Sequence, residues 1–209
     1  MTKTRNLLAI SGMAVLLAFV GAAAEADAAA FMKLGDIKGE ATDKGHEGWI
    51  VLDSFECGID NTQRHAPGEK GGTADINIGV GELQECTISK SMDSASAQLA
   101  QFAINGNSPG TAEIDFVEVA GSAGEPVTYL KYKLDRVFIK SWSTSGDADD
   151  RPTEEVAFYY NKIAFAYTPE GEPRPEPTNV MSWDNVTNTP WDAFFDTVRD
   201  LLSPPGKSK

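Results

Sequence analysis

The sequence contains few of the residues from which metal and catalytic centres are built. Its 209 residues include two cysteines and two histidines, and the histidines, His46 and His65, lie far apart in the chain. Neither a CxxC pair nor an HExxH run is present, although zinc sites need several such ligands at short spacing. We therefore predict a protein that is not an enzyme and that holds no metal and no cofactor.

Phosphate and calcium motifs are also lacking. Gly68, Gly71 and Gly72 precede a predicted strand, whereas a phosphate-binding loop leads from a strand into a helix. The acidic run at 147–150 lacks the bidentate glutamate of an EF-hand, so we interpret it as a solvated loop.

Basic residues are scarce relative to acidic ones. The chain has 18 Lys and Arg against 31 Asp and Glu, for a formal net charge of −13. Such a surface repels phosphate backbones, which excludes nucleic acid as an expected partner.

The N-terminus has the pattern of a secretory signal. Lys3 and Arg5 precede an uncharged apolar run, Leu7–Ala24, and Ala26–Ala28 fits an A-x-A cleavage site. We predict that residues 1–28 are a signal peptide, that the mature protein is secreted or periplasmic, and that no membrane span remains after cleavage. An N-terminal membrane anchor is the alternative, because the apolar run nearly reaches spanning length.

Cys57 and Cys86 have two interpretations. In an oxidising compartment they form one disulfide that closes a loop of about 30 residues, worth roughly 3–4 kcal/mol in the chain-entropy model. Otherwise they are two buried thiols, and their spacing does not decide between these.

Alternating apolar residues and turn signals predict an almost entirely β-stranded domain. A switch of apolar parity near Asn161–Lys162 predicts a β-bulge there. The first predicted strand begins at Phe31 and leads into a Gly-rich polar turn within residues 31–40. The other predicted strands are 49–55, 74–80, 86–90, 112–120, 127 to about 143, 154–167 and 180–186.

One helix is predicted within the domain, at about 91–105. Ser91 or Ser94 suits its N-cap, and Asn105-Gly106 suits its end. Its apolar residues at helical spacing are Met92, Ala95, Leu99, Phe102 and Ala103. The fold class is therefore all-β, a two-sheet barrel or sandwich with one flanking helix.

The C-terminal residues differ in composition from the domain. Residues 169–179 are a Pro-rich linker, and residues 180–209 are predicted to hold a terminal strand and an amphipathic helix. The apolar face of that helix consists of Trp191, Phe194, Phe195, Val198, Leu201 and Leu202.

The order of these segments resembles the haemolysin-coregulated protein (Hcp) family, the tube subunit of type VI secretion. The opening run FMKLGDIKGEATDKGHEGWIVLDSFECG is similar to the start of family members. Three later runs agree in order and spacing: ISKSMD, YLKYKLDRVFIKSWSTSG and PTEEVAFYYNKIAFAYTPEG. With SWDNVTNTP, which is similar to the family's terminal strand, the likeness spans about residues 31–190.

The resemblance implies an Hcp-like β-barrel domain at 29–168 that forms a hexameric ring and stacks into a tube. It further implies a non-enzymatic role as conduit, exported component and carrier, with effectors or other secretion-apparatus proteins as partners. The loop at 58–73 corresponds to one that reaches a neighbouring subunit in such rings. Its predicted interface residues are Asp60, Gln63, Arg64, His65 and Lys70.

Two features depart from the family pattern. Tube subunits of this kind carry no signal peptide, and the C-terminal helix lies outside the pattern. That helix packs on its own barrel, docks on a neighbouring ring or lies on a membrane; its aspartates argue against an anionic membrane surface.

The leading hypothesis is an exported, ring-forming structural protein. A monomeric secreted binding module for a small ligand, glycan or peptide is the alternative from another class, and an enzyme is the third.

The crowded polar run GDIKGEATDKGH, at 35–46, is interpreted as the end of the first strand and a turn. Gly35 and Gly39 supply backbone freedom, and His46 fixes the loop.

Overall fold

The computed structural model describes residues 28–61, 81–120, 125–169 and 179–191. Strands dominate, and one helix lies between the sixth and seventh of them. The elements in chain order are β1 Ala29–Leu34, β2 Ile50–Leu52, β3 Ser54–Glu56, β4 Ile59–Asp60, β5 Glu82–Leu83, β6 Cys86–Ser91, α1 Ser96–Asn105, β7 Gly110–Ala120, β8 Glu125–Ser145, β9 Thr153–Tyr159, β10 Lys162–Tyr167 and β11 Asn179–Asp184.

The long strand β8 joins two antiparallel layers. Its first half pairs with β7 and β10, and its second half pairs with β9. One layer runs β2-β1-β7-β8-β10-β11, and the other runs β8-β9-β6-β3. Among the described strands the sheets do not close into a continuous barrel, so these strands form the sandwich version of the predicted all-β class.

The core lies between these layers and under α1. In β2 and β6, buried side chains alternate with more exposed ones, as the pleat of a β-strand requires. Central members are Met32, Leu34, Ile50, Ile88, Leu99, Ile114, Leu134, Val156 and Phe158.

Helix α1 begins later than predicted, at Ser96, with Ala95 at its N-cap. The predicted serine caps are wrong, because Ser91 lies in β6 and the Ser94 hydroxyl donates to the backbone carbonyl of Lys38. The predicted end is confirmed. Gly106 has a φ of 69° and donates its N–H to the carbonyl of Phe102 at 3.1 Å.

The β-bulge predicted near Asn161–Lys162 is wrong. Asp135 pairs with Lys162 and Phe138 pairs with Tyr159, so two residues lie between the pairs on each strand and neither strand has an extra one. The parity changes where the predicted strand at 154–167 is divided into β9 and β10, which pair with different halves of β8. Opposite this division, Arg136 of β8 has a φ of 53°. A register shift does occur further along the same pairing, between Ile139 and Ser141.

The predicted strand at 49–55 is divided in two. β2 pairs with β1, whereas β3 pairs with β6 in the other layer. Asp53 stands between them and donates its N–H to the carbonyl of Ser89 at 2.9 Å. This segment therefore crosses from one layer to the other.

Four predicted segments lie outside the described residues, apart from the ends of their ranges. They are the predicted signal peptide, the predicted strand at 74–80, the predicted Pro-rich linker and the predicted amphipathic helix after Trp191. Within the described ranges, no helix is long and apolar enough to span a membrane.

Candidate functional sites

His46 lies in the connection between β1 and β2 and is buried, with 7% of its surface exposed. Its Nδ1 lies 2.9 Å from Asp43 Oδ1, and its Nε2 lies 3.0 Å from Asp115 Oδ2 on β7. The Phe31 ring stacks on the imidazole at a centroid distance of 4.6 Å. Lys131 on β8 donates to the same Asp115 oxygen at 2.8 Å. The four polar groups form a continuous network across three parts of the chain.

The network favours the charged form of the imidazole. Burial lowers the pKa of His46, but the hydrogen bonds to Asp115 and Asp43 and their negative charges outweigh it and raise that pKa above its ordinary value of 6.5. Both ring nitrogens face carboxylates, and among the described residues no Ser or Cys side chain is hydrogen-bonded to His46. A general base needs a proton to accept from a nucleophile or substrate, and this histidine is already bound at both nitrogens. The predicted structural role of His46 is thus confirmed.

A second buried network, centred on Lys90, was not anticipated from the sequence. Lys90 is fully buried, and its ammonium lies 2.8 Å from Glu154 Oε2 and 2.8 Å from Asp93 Oδ1. The Ser96 hydroxyl donates to Glu154 Oε2 at 2.9 Å. This cluster ties β6, the start of α1 and β9 together. The sequence did contain a signal for its burial, because Lys90 lies on the same face of β6 as Cys86 and Ile88, which are buried.

One hydrolase motif does occur, because the run from Gly106 to Gly110 has the spacing G-x-S-x-G. A nucleophile elbow leads from a strand into a helix. This run instead leads from α1 into β7. The Ser108 hydroxyl donates to the carbonyl of Val137 at 2.6 Å and accepts from the N–H of Gly110 at 3.1 Å. Ser108 therefore closes a turn.

A cavity of about 380 Å³ lies between α1 and the turn after β1. Its polar lining consists of Asp36, Gln98, Gln101, Asn105 and Ser108. These groups offer hydrogen bonds but no histidine or cysteine. Among the described residues, no group of three or more His, Cys, Asp and Glu side chains is placed to hold a metal ion.

Cys57 and Cys86 are joined by a disulfide in the structure, with their Cα atoms 4.3 Å apart. The bond lies at the base of the short β4–β5 ribbon, in which Asp60 pairs with Glu82. The remaining predicted interface residues, Gln63, Arg64, His65 and Lys70, lie outside the described part of the chain. Their role in a subunit contact remains a prediction, as does the oxidation state in solution.

Trp191 is the one member of the predicted C-terminal face that lies within the described ranges. It packs against Ala164 and Ala166, away from the main core. Phe194, Phe195, Val198, Leu201 and Leu202 lie outside the described ranges.

Three comparisons with known proteins agree on the family. Residues 31–167 match the family model described as type VI secretion system effector, Hcp. The chain is 28% identical over 141 residues to protein hcp1 of Pseudomonas aeruginosa, covering 67% of this chain and 83% of that protein.

Solved structures show the same fold. The structure of a type six secretion system protein is 28% identical, with a TM-score of 0.65 over 77% of this chain and 98% of that one. Hcp1 from Salmonella typhimurium is 21% identical, with a TM-score of 0.61 over 80% of this chain and all of that one. The family model covers well over half of the chain, and the all-β sandwich is that of these neighbours. The chain belongs to the Hcp family of type VI secretion.

Proposed function

We propose that this protein is an exported structural subunit that assembles into hexameric rings and has no catalytic activity of its own. After loss of residues 1–28, the mature chain is secreted or periplasmic. Its partners are further copies of itself, together with effectors or other proteins of a secretion apparatus.

The observation that carries the proposal is the extent of the structural likeness. One solved type six secretion system protein is covered over 98% of its length by this chain. The likeness therefore extends over nearly the whole of that protein, and this extent supports a shared structural role. The buried polar networks support a structural role, because His46 and Lys90 are each bound by carboxylates that hold separate strands together.

The cysteine pair supports export. Disulfides persist in oxidising compartments and are rare in the cytosol. The disulfide between Cys57 and Cys86 suits a chain that crosses the inner membrane behind a signal peptide.

The native mass of the purified mature protein tests ring formation. We expect a hexamer, and we expect Arg64→Glu in the predicted interface loop to shift the mass toward the monomer. Lys44→Glu is the matched control, because Lys44 is exposed in the β1–β2 connection, and it should leave the hexamer intact. A monomer at high concentration would contradict the ring and favour the binding module.

N-terminal sequencing of the protein recovered from its natural compartment tests export. A mature end close to residue 29 is expected. An intact Met1 would contradict the proposed export.

A further inference from the structure

The outer face of β10 carries a small apolar cluster of its own. Ile163 belongs to the main core, and Phe165 lies over Tyr132 with ring centroids 5.4 Å apart. Ala164 and Ala166 alternate with them and therefore face away from that core. Both alanines are nonetheless buried, at 0% and 2% exposure. Because the two alanines face away from the core and yet are buried, another part of the chain covers them.

Trp191 contributes part of that cover. It packs against the two alanines together with Val180 of β11. The ammonium groups of Lys133 and Lys162 lie 6.0 Å and 5.3 Å from the centroid of its ring. Both cations lie within the distance at which the face of an indole attracts them. Trp191 is thus held on the outer face of β10 by apolar contacts with the two alanines and by the attraction of two ammonium groups to its ring.

The sequence that follows Trp191 would match this face in length if it formed an α-helix. Twelve residues, 191–202, span about 18 Å as an α-helix. The six residues of β10 span about 20 Å. Alanine side chains let a helix approach the strand closely. At 100° per residue, the large apolar side chains of 191–202 fall on the same side of a helix as Trp191. Ala193 and Asp200 fall on the opposite side.

We propose that residues 191–202 form a helix whose apolar face docks on the outer face of β10 in the same chain, over Ala164 and Ala166, with Trp191 as its anchor. The proposed helix lies outside the part of the chain that matches the family model, because that match ends at residue 167. The proposal does not depend on ring formation.

Lysine acetylation followed by mass spectrometry tests the docking. The full mature protein is compared with a form that ends at Pro190. Removing the segment should raise the labelling rates of Lys133 and Lys162 several-fold, because the indole that covers them is gone. Lys140, which is exposed in the second half of β8 where that strand belongs to the other layer, should react equally in both forms. Lys90, which is fully buried, should stay unreactive and so report that the truncated protein is folded.

Two substitutions in the full chain separate docking from general effects of truncation. Phe195→Asp places a charge on the proposed docking face and should raise the labelling of Lys133 and Lys162 as truncation does. Ala193→Asp introduces the same charge on the opposite side and should leave both lysines protected. Equal labelling of Lys133 and Lys162 in all four proteins would overturn the proposal.

Dilution distinguishes the chain's own sheet from that of a neighbour. Protection that persists in samples shown by native mass to be monomeric supports docking within one chain. Protection that is lost when the protein is diluted to the monomer would overturn it. The native mass itself reports on the ring, so the two proposals can fail separately.

Discussion

The Nε2 atom of His46 lies 3.0 Å from Oδ2 of Asp115, a residue 69 positions further along the chain. This contact fastens the connection between β1 and β2 to the middle of β7. Asp43 holds the other ring nitrogen, and Lys131 holds the far side of Asp115. The polar run at 35–46, which resembles an active site, thus helps to hold the β1–β2 connection against the sheet.

The raised pKa of His46 predicts a pH dependence of stability. Because the folded-state pKa lies above the ordinary value of 6.5, the stabilisation is fully present below that value and is lost as pH rises through the folded-state pKa. The free energy of unfolding should therefore fall with rising pH above about 6.5, with a slope of at most about 1.4 kcal/mol per pH unit for one proton. Urea titrations at a series of pH values measure it.

The substitution His46→Gln should remove that contribution to the slope. An identical slope in the wild type and in His46→Gln would contradict a raised pKa of His46 in the folded protein.

The Lys90–Glu154 ion pair predicts a strong and non-additive effect. Lys90→Met leaves buried Glu154 and Asp93 without their cation, which should lower the free energy of unfolding by about 3–5 kcal/mol. The double variant Lys90→Met/Glu154→Met should lose clearly less than the sum of its two single variants. Strictly additive losses in chemical denaturation would contradict a coupled buried pair.

An exposed ion pair in the same protein provides the comparison. Arg151 and Glu40 are 67% and 49% exposed in their side chains and 3.4 Å apart. Arg151→Met should cost less than about 1 kcal/mol.

Breaking the disulfide should destabilise the fold. The cysteines are 29 positions apart, so Cys57→Ser/Cys86→Ser should lose roughly 3–4 kcal/mol in the chain-entropy model. A thiol titration of the denatured, unreduced mature protein should detect no free thiol. Two free thiols per chain would mean that the cysteines are unpaired in solution.

Gly39 is predicted to resist any side chain. A Cβ atom there would lie 2.3 Å from the carbonyl oxygen of Trp49, a backbone atom that moves only with β2. Gly39→Ala should therefore cost about 1–3 kcal/mol, the usual range for overpacking. Gly58→Ala is the control, since its Cβ would meet Gln84 at an ordinary 3.7 Å. Equal melting temperatures for the two variants would contradict this account of Gly39.

Local patterns predicted the elements of the fold better than their junctions. Alternation along β6 and β7 and the Gly106 terminus of α1 follow from neighbouring residues, and both were predictable. The division at Asp53 was not, because it depends on which strands lie on either side of the segment. The start of α1 was also set from a distance, since Ser94 donates to Lys38 instead of capping the helix.

The polar networks show the same limit. The role of His46 as a loop anchor was predictable from its setting among turn residues. Its partner Asp115 was not, since nothing local to residue 115 marks it out from other aspartates in a strand. Lys90 and Glu154 each lie on the face of their strand that otherwise carries apolar side chains. Only the pairing of β6 with β9 brings the two residues together.

Electron microscopy of the purified, unreduced mature protein tests the central proposal most directly. We predict ring-shaped particles whose class averages have sixfold symmetry. Isolated particles of single-subunit size at the same protein concentration, from a sample whose folding is verified by its melting transition, would contradict the account of this chain as a ring-forming structural subunit.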